Sequence, residues 1–234
     1  MAISHRHKFI FVHIPKCGGT SIEKALCTFT KLDLMNPRLL SEEEIKEKNL
    51  LLGGSLHRLE RHLSAIEIKT LIEKQEFEDY FKFSIVRNPF SRLVSFYNFV
   101  LKNKNPDHTK LQVKLVLNSV NFKDFVTCAL QTEQMDLFFN QYKYICDETQ
   151  NNLMNFTGKL ENLSEDFNYG IKTIRSREKF PLRLLQNFPG FKKPTLPHIN
   201  LSKSVDYREY YDNELREKVE QACEKDLYFF DYQF

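Results

Sequence analysis

A chain of 234 residues is long enough for one sizeable α/β domain, whereas two full-sized domains would each be small. With 41% hydrophobic and 28% charged residues it can bury a core, which argues against a disordered chain. A net charge of +3 is too small for a general nucleic-acid binder, whose basic residues make a strongly basic domain. We therefore predict a single domain over residues 1–234 that binds no nucleic acid.

The cysteines and the N-terminal segment indicate the cellular compartment in which the protein is expected. Five cysteines are an odd number and none has C-x-x-C spacing, so neither a disulfide framework nor a zinc site is indicated. The apolar run before Pro15 is too short for a signal-peptide core or a spanning helix. We therefore expect a protein of the reducing cytoplasm with no membrane association and no metal. The cysteines are Cys17, Cys27, Cys128, Cys146 and Cys223.

Two stretches of the sequence have the order strand, turn, helix. The apolar run Lys8 to Ile14 predicts a buried strand, and after the KCGG turn Thr20 and Ser21 begin a helix. Phe81 to Val86 predicts a second strand, followed by a helix that Pro89 enters at its first turn. This alternation predicts an α/β fold with three layers, a mainly parallel central sheet flanked by helices, and a plan related to P-loop nucleotide-binding proteins.

Most of the remaining chain is predicted to be helical. Two Ser-x-x-Glu capping boxes, at Ser41 and Ser64, each mark the start of a short helix. Tyr142 to Cys146 instead predicts a strand, and the proline-rich stretch Arg175 to Asn200 predicts a long surface loop. The predicted helices lie at 42–48, 65–75, 122–130 and 164–174, with a closing amphipathic helix marked by Leu215, Val219, Ala222, Cys223 and Leu227.

The turn after the first strand carries the clearest chemical signal. At a helix start, unpaired backbone N–H groups and the helix dipole attract anions, and two glycines permit close backbone approach. Two hydroxyls can bond to the same anion, and a lysine adds positive charge. The sequence therefore predicts a phosphate-binding loop, the alternative being a tight turn with an exposed lysine. The loop residues are Lys16, Cys17, Gly18, Gly19, Thr20 and Ser21.

The order of residues separates this loop from other phosphate loops. Lys16 precedes the glycines, whereas the lysine of a Walker A loop follows them. Arg87 follows the second strand, where a magnesium nucleotide site needs an acidic residue. An arginine there repels a metal ion and attracts an anion, so we expect a ligand with phosphate at two ends and no metal. A cysteine phosphatase is excluded because Glu23, and no arginine, stands six positions after Cys17.

Two motifs resemble those of sulfotransferases that use 3′-phosphoadenosine 5′-phosphosulfate (PAPS), in the branch of the heparan sulfate O-sulfotransferases and small bacterial relatives. HIPKCGGTSI, residues 13–22, resembles the 5′-phosphosulfate loop of that family, although Cys17 stands where threonine is common. SIVRNPFSRLVSFY, residues 84–97, is similar to its 3′-phosphate motif, which implies that Arg87 and Ser95 hold the 3′-phosphate. The resemblance continues at residues 62–72, 158–167 and 197–203 and in the C-terminal tail.

The resemblance implies in-line transfer of a sulfuryl group from PAPS to an acceptor. It implies that Lys16 stabilises charge on the leaving oxygen and that His62, in the segment H-x-x-A-x-E-I, takes the acceptor proton. His57 is an alternative base, and His13 is expected to pack at the end of the first strand. Further candidates for contacts in a late loop are His198, Lys192 and Lys193.

The acceptor implied by the resemblance is a hydroxyl of a carbohydrate or of a small molecule. Two alternatives from other classes remain. A magnesium-dependent nucleotide phosphotransferase would need a carboxylate near the phosphate loop. A non-catalytic module of the same fold would bind an anionic partner without transferring any group.

Overall fold

A computed structural model describes residues 1–30, 62–103, 106–108, 110–132, 136–178, 196 and 205–234. The chain forms two compact units. We call Met1–Val86 with Tyr144–Ile199 the sheet unit, and Arg87–Lys143 with Asn200–Phe234 the helical unit. The single domain expected over residues 1–234 stays a prediction.

The sheet unit contains a four-stranded sheet with the strand order β1-β2-β3-β4. Its strands are β1 (Ala2–Ser4), β2 (Phe9–Val12), β3 (Phe81–Val86) and β4 (Phe156–Lys159). β1 pairs antiparallel with β2, whereas the β2–β3 and β3–β4 pairs are parallel. A mainly parallel sheet combined with helices confirms the predicted α/β class, and β1 and β4 add strands that the sequence pattern did not predict.

The α-helices of the described residues are α1 (Gly19–Thr30), α2 (Ala65–Leu71), α3 (Lys74–Asp79), α4 (Pro89–Lys102), α5 (Leu111–Asn118), α6 (Phe122–Leu130), α7 (Asp136–Phe139), α8 (Leu163–Arg177), α9 (Asn213–Ala222) and α10 (Glu224–Phe229). Short 3₁₀ helices cover Gln141–Tyr144, Leu160–Asn162 and Tyr207–Tyr210. The predicted helices at 65–75 and at the C-terminus are each divided in two, between α2 and α3 and between α9 and α10.

Capping residues explain why several helices begin where the sequence predicts. Ser64 and Glu67 form a complete capping box at the start of α2. Asn88 caps α4 by accepting from the N–H of Phe90, and Pro89 occupies the first turn. These caps fix the chain direction directly after His62 and directly after Arg87, so they position two of the predicted site residues.

The core of the sheet unit lies against one face of the sheet. Phe9 and Phe11 of β2 pair in register with Phe81 and Phe83 of β3, so their side chains share a face. The residues that pack with them come from α1 and α8. They are Ile22, Ala25, Leu26, Phe167, Ile171 and Ile174. All residues of β2 and β3 are buried, as is usual for parallel strands.

Aromatic side chains make the core of the helical unit. Phe90 and Phe96 of α4 pack with Phe125 of α6, and Leu215 and Val219 of α9 belong to the same cluster. The aromatic segment SFYNFV, residues 95–100, therefore contributes to packing, although Phe99 within it is exposed.

The strand predicted over Tyr142 to Cys146 is wrong. A 3₁₀ helix covers Gln141–Tyr144, and Cys146 forms an isolated bridge with Asn152. The buried carboxylate of Asp226 accepts hydrogen bonds from the backbone N–H groups of Gln141 and Tyr142. The backbone N–H groups that a strand would use to pair with a neighbouring strand are therefore bonded to this carboxylate. The fourth strand of the sheet is β4 instead.

Some predictions fall outside the described residues. They are the helix over 42–48, nearly all of the predicted loop beyond Glu178, and the residues His57, Lys192, Lys193 and His198. Among the residues that the structure does describe, no helix has both the length and the apolar composition that a membrane span requires. Within the same residues, no three His, Cys, Asp or Glu side chains are grouped so as to hold a metal ion.

Candidate active site

The loop between β2 and α1 adopts the conformation expected of an anion-binding turn. Lys16 has φ 67° and Gly18 has φ 74°, which are both in the left-handed region. Glycine adopts this region without penalty, whereas a lysine there costs roughly 1–2 kcal/mol. Strained residues of this kind cluster at functional sites, although Lys8, Gln150 and Asp231 also have positive φ in this chain. α1 begins at Gly19, so its first N–H groups lie next to the half-buried Lys16.

The other loop residues differ in exposure. Thr20 is exposed and Ser21 is buried, so the two hydroxyls are not equivalent in their access to a ligand. Cys17 is buried, and its Sγ atom lies 3.5 Å from the backbone oxygen of Pro15. We infer that Cys17 contributes its backbone to the loop and its side chain to packing, which explains how cysteine can occupy a position where threonine is common.

The two glycines of the loop are required by packing. A Cβ atom at Gly19 would lie 2.0 Å from Cδ2 of His13, and one at Gly18 would lie 2.7 Å from Cδ1 of Leu160. The His13 ring therefore occupies the space that a side chain at position 19 would need. This tertiary reason for Gly19 is invisible in the sequence, where the glycine pair indicates only close backbone approach.

A Gly19→Ala substitution is expected to destabilise the protein and to displace the loop. The clash with His13 has the character of overpacking, which typically costs about 1–3 kcal/mol. Gly170→Ala is the matched control, because a Cβ atom there meets Phe83 at an ordinary 3.7 Å. Alanine in the interior of α8 should raise the free energy of unfolding by up to about 1 kcal/mol. Urea unfolding of both variants measures the contrast, and equal stabilities would contradict the close contact at Gly19.

His13 lies behind the loop and links it to α1. Its ring is buried beside Phe11, and its Nδ1 lies 2.9 Å from Oε1 of Glu23. Glu23 is one helical turn beyond Gly19, so both residues lie on the same face of α1. The His13 ring packs against Gly19 and bonds to the Glu23 carboxylate on that face. The expected packing of His13 at the end of the strand is confirmed, and its hydrogen bond gives it a second role in fixing the loop.

Glu23 is held in its ionised form. Burial raises the pKa of this carboxyl, but the hydrogen bond from His13 and the charge of the Met1 amine, 2.7 Å away, lower the pKa to about 2. The carboxylate therefore accepts a hydrogen bond that the Nδ1–H of His13 donates, and this bond fixes the ring against the loop. Sequence reasoning used Glu23 only to exclude a phosphatase and missed this role.

Glu23→Gln is expected to change how stability depends on pH. The folded protein holds the pKa of Glu23 at about 2, below the unfolded value of 4.5, so the carboxylate stabilises the fold above about pH 4.5. This contribution, on the order of 3 kcal/mol, is lost as the pH falls from about 4.5 to about 2.

Urea unfolding at a series of pH values measures the effect. Wild type and Glu23→Gln should differ most near neutral pH and converge across the acid window. The control is Glu220→Gln, which removes an exposed pair with Arg216 and should alter stability little at any pH. A difference between wild type and Glu23→Gln that stays constant down to pH 2 would contradict the assignment.

A hydrogen bond holds one ring nitrogen of His62, the candidate base. Its Nδ1 lies 3.0 Å from the backbone oxygen of His13, and the two rings meet edge to face with centroids 4.5 Å apart. A nitrogen that faces a carbonyl oxygen must donate, so the neutral ring carries its proton on Nδ1. The Nε2 atom then has the lone pair, and it is the atom that can accept a proton from a substrate.

Arg87 and Ser95 lie in the helical unit, Arg87 just before α4 and Ser95 in its second turn. The Nε of Arg87 donates to Oγ of Ser91 at 2.7 Å, and Ser95 lies one turn beyond Ser91 on the same side of the helix. Arg87 and Ser95 are both half-buried. Ser91 was missed by sequence reasoning, although its spacing of four residues from both predicted ligands would have indicated it.

The structure therefore groups the predicted residues in two sets. The loop residues, His13, Glu23 and His62 are brought together in the sheet unit. Arg87, Ser91 and Ser95 are brought together in the helical unit. The first set combines a candidate anion-binding loop with a candidate base, and the second combines an arginine with two hydroxyls.

Comparison with known proteins identifies the family. A sequence model of the sulfotransferase family matches residues 1–233. The chain belongs to the sulfotransferase family. The match covers both sets of residues, and it confirms the resemblance that the two motifs carry.

Three curated sulfotransferases illustrate the relationship. Human carbohydrate sulfotransferase 9 is 23% identical over 248 residues, covering 98% of this chain and 51% of the relative. Human carbohydrate sulfotransferase 8 is 23% identical over 208 residues, covering 81% of this chain and 45% of the relative. Carbohydrate sulfotransferase 10 of Xenopus laevis is 36% identical over 93 residues, covering 40% of this chain and 23% of the relative. The chain thus spans at most about half the length of these relatives.

Proposed function

We propose that this chain transfers a sulfuryl group from PAPS to a hydroxyl of a carbohydrate or small-molecule acceptor by in-line displacement. The observation that carries the proposal is the double role of His13. Its ring packs against Gly19 of the anion-binding loop, and its backbone oxygen orients the His62 ring. One residue thus ties a candidate base to a candidate phosphosulfate loop. Family membership and the carbohydrate sulfotransferase relatives support the same reaction.

The loop residues would bind the 5′-phosphosulfate of the donor. Backbone N–H groups at the start of α1 and the positive end of its dipole suit a doubly anionic group. Lys16 would stabilise the charge that grows on the bridging oxygen as sulfur leaves it. The strand, loop and helix from Phe9 to Thr30 support the proposal that the fold is P-loop-like, and its three layers stay a prediction.

His62 would take the proton of the acceptor hydroxyl. Its Nε2 atom is the acceptor in the neutral ring because Nδ1 donates to His13. The proton moves from the hydroxyl to Nε2 as the acceptor oxygen bonds to sulfur, and the bridging oxygen departs with adenosine 3′,5′-bisphosphate. No metal is needed for this step, since Lys16 supplies the positive charge.

Arg87 and Ser95 would hold the 3′-phosphate of the donor. The guanidinium suits phosphate because it presents planar N–H donors with a permanent charge. Its hydrogen bond to Ser91 fixes the plane of the group along α4. These residues would therefore distinguish PAPS and its product from nucleotides that lack a 3′-phosphate.

Calorimetric titration tests the donor. We expect metal-independent, micromolar binding of adenosine 3′,5′-bisphosphate and much weaker binding of ATP, with or without magnesium. Magnesium-dependent ATP binding without bisphosphate binding would instead favour the phosphotransferase alternative. Transfer of ³⁵S from labelled PAPS to a panel of oligosaccharides and small alcohols tests the reaction. Tight bisphosphate binding without transfer to any acceptor would favour the non-catalytic module.

A further inference from the structure

One buried side chain holds both backbone groups of Arg87. Gln141 is fully buried, and its Oε1 accepts from the N–H of Arg87 at 2.9 Å. Its Nε2 donates to the backbone oxygen of Arg87 at 2.8 Å. These two hydrogen bonds fix the peptide planes on both sides of the Arg87 Cα atom. They therefore fix the direction in which the side chain leaves the backbone.

A second buried side chain holds Gln141 in place. Asp226 of α10 accepts from the backbone N–H of Gln141 at 2.7 Å and from Nε2 of the same residue at 3.0 Å. Its other oxygen accepts from the N–H of Tyr142 at 2.8 Å. Burial raises the pKa of Asp226, while the guanidinium of Arg92 and these N–H donors oppose that rise. The amide of Gln141 thus has both of its N–H groups and its oxygen engaged.

The rest of the turn is fixed from other directions. Asn88 caps α4 with its oxygen, and its Nδ2 donates to the backbone oxygen of Gln233 at 2.7 Å. The Nε of Arg87 donates to Ser91. The backbone, the cap and the guanidinium plane of Arg87 are therefore each held by a separate contact within the helical unit. Gln141 alone supplies a partner to each backbone group of Arg87, so the direction of this turn depends on one side chain and not on a helix or sheet ladder.

We propose that Gln141, oriented by Asp226, is a positioning residue for Arg87, which sets the guanidinium in the orientation that binds the 3′-phosphate of the donor. This inference rests on the proposed function, because it assumes that Arg87 binds that phosphate. Gln141 and Asp226 touch no part of the donor in this role. They act through the backbone of Arg87 alone.

The rival explanation is that Gln141 serves only stability. Both explanations predict a less stable variant, so thermal melting alone cannot separate them. They differ in what happens to the preference for a 3′-phosphate. A positioning residue should affect the binding of adenosine 3′,5′-bisphosphate and leave the binding of adenosine 5′-monophosphate unchanged, because the two ligands differ only in that phosphate.

The test is calorimetric titration of both ligands into wild type, Gln141→Met, Arg87→Ala and the double variant. Methionine keeps the length and volume of Gln141 and removes both bonds to Arg87. Gln141→Met should lower the bisphosphate affinity about 5- to 10-fold, part of the roughly 10- to 100-fold that a charge-assisted hydrogen bond contributes. The monophosphate affinity should not change. In the double variant, the loss should equal that of Arg87→Ala alone, because Gln141 acts through Arg87.

Two further variants keep the test decisive. If Gln141→Met does not fold, Gln141→Asn keeps the amide on a shorter side chain that cannot span the same two groups. Asn98→Ala is the control, because it removes a side-chain amide of α4 that donates to Tyr210 at 3.0 Å and leaves the Arg87 contacts intact. This control should preserve the preference for bisphosphate.

The possible outcomes distinguish this inference from the proposed function. The inference alone is overturned if wild type prefers the bisphosphate while Gln141→Met keeps that preference, loses both affinities equally, or adds its loss to that of Arg87→Ala. A wild type that binds both ligands equally overturns the assignment of the 3′-phosphate to Arg87, and the inference with it. A selective loss that is absent in the Arg87→Ala background supports both.

Discussion

Lys16→Ala is expected to reduce the turnover of PAPS by at least 10²- to 10³-fold, the usual effect of removing a group that stabilises charge in the transition state. Turnover should fall far more than the affinity for adenosine 3′,5′-bisphosphate, because the charge on the leaving oxygen develops only during transfer. The measurement is steady-state transfer of ³⁵S from labelled PAPS, with Lys172→Ala as the control. Lys172 is an exposed lysine of α8, and its removal should leave turnover unchanged.

A glycine at position 16 separates this role from folding. Because Lys16 has φ 67°, Lys16→Gly relieves backbone strain and should raise stability by up to about 1 kcal/mol. Turnover should nevertheless fall as far as in Lys16→Ala. Opposite changes in stability and activity would show that the ammonium group, and not the shape of the turn, is needed for transfer. Turnover within about twofold of wild type would instead refute the role of Lys16.

His62→Ala is expected to lower kcat by about 10²- to 10⁴-fold, the range that general bases contribute. Binding of the bisphosphate should stay as in wild type, because His62 acts on the acceptor side of the reaction. Steady-state transfer of ³⁵S from labelled PAPS measures kcat, and calorimetric titration measures the binding of the bisphosphate.

His62→Asn is the sharper variant. The Nδ2 of asparagine occupies nearly the position of the histidine Nδ1, so it can still donate to the backbone oxygen of His13. The hydrogen bond that orients the ring is retained while the Nε2 atom is lost. We expect His62→Asn to be as inactive as His62→Ala and as stable as wild type. Near-normal rates in both variants would move the base to His57, for which His57→Ala is the matching test.

The fold was predictable from sequence where its causes are local. The bounds of the strand Phe81–Val86 and of the helix Phe122–Leu130 match the predictions residue for residue, because a continuous apolar run forms the strand and Asn121 caps the start of the helix. The strand predicted at Tyr142 failed because Asp226, 84 residues away, takes the N–H of Tyr142. An apolar, aromatic pentapeptide does not indicate such a partner.

Some residues of the candidate site were predictable from the sequence, and others were not. The loop and Arg87 followed from the residues themselves, whereas Ser95 and His62 followed from the resemblance to a family. The supporting residues Glu23, Ser91 and Gln141 did not, because their roles exist only once the chain has folded. Glu23 bonds to the ring of His13, and Gln141 holds the backbone of Arg87. A sequence pattern shows which residues have suitable chemistry, whereas the orientation of each one depends on contacts between distant segments.

The contact between Gln141 and Arg87 has a consequence for how this site can change. Gln141 binds the N–H and the carbonyl oxygen of Arg87, which are common to all residues except proline. Gln141 can therefore hold the backbone of this turn whichever side chain, other than proline, stands at position 87. A single substitution at position 87 can thus change the anion that is recognised while the backbone conformation is kept, in evolution or by engineering.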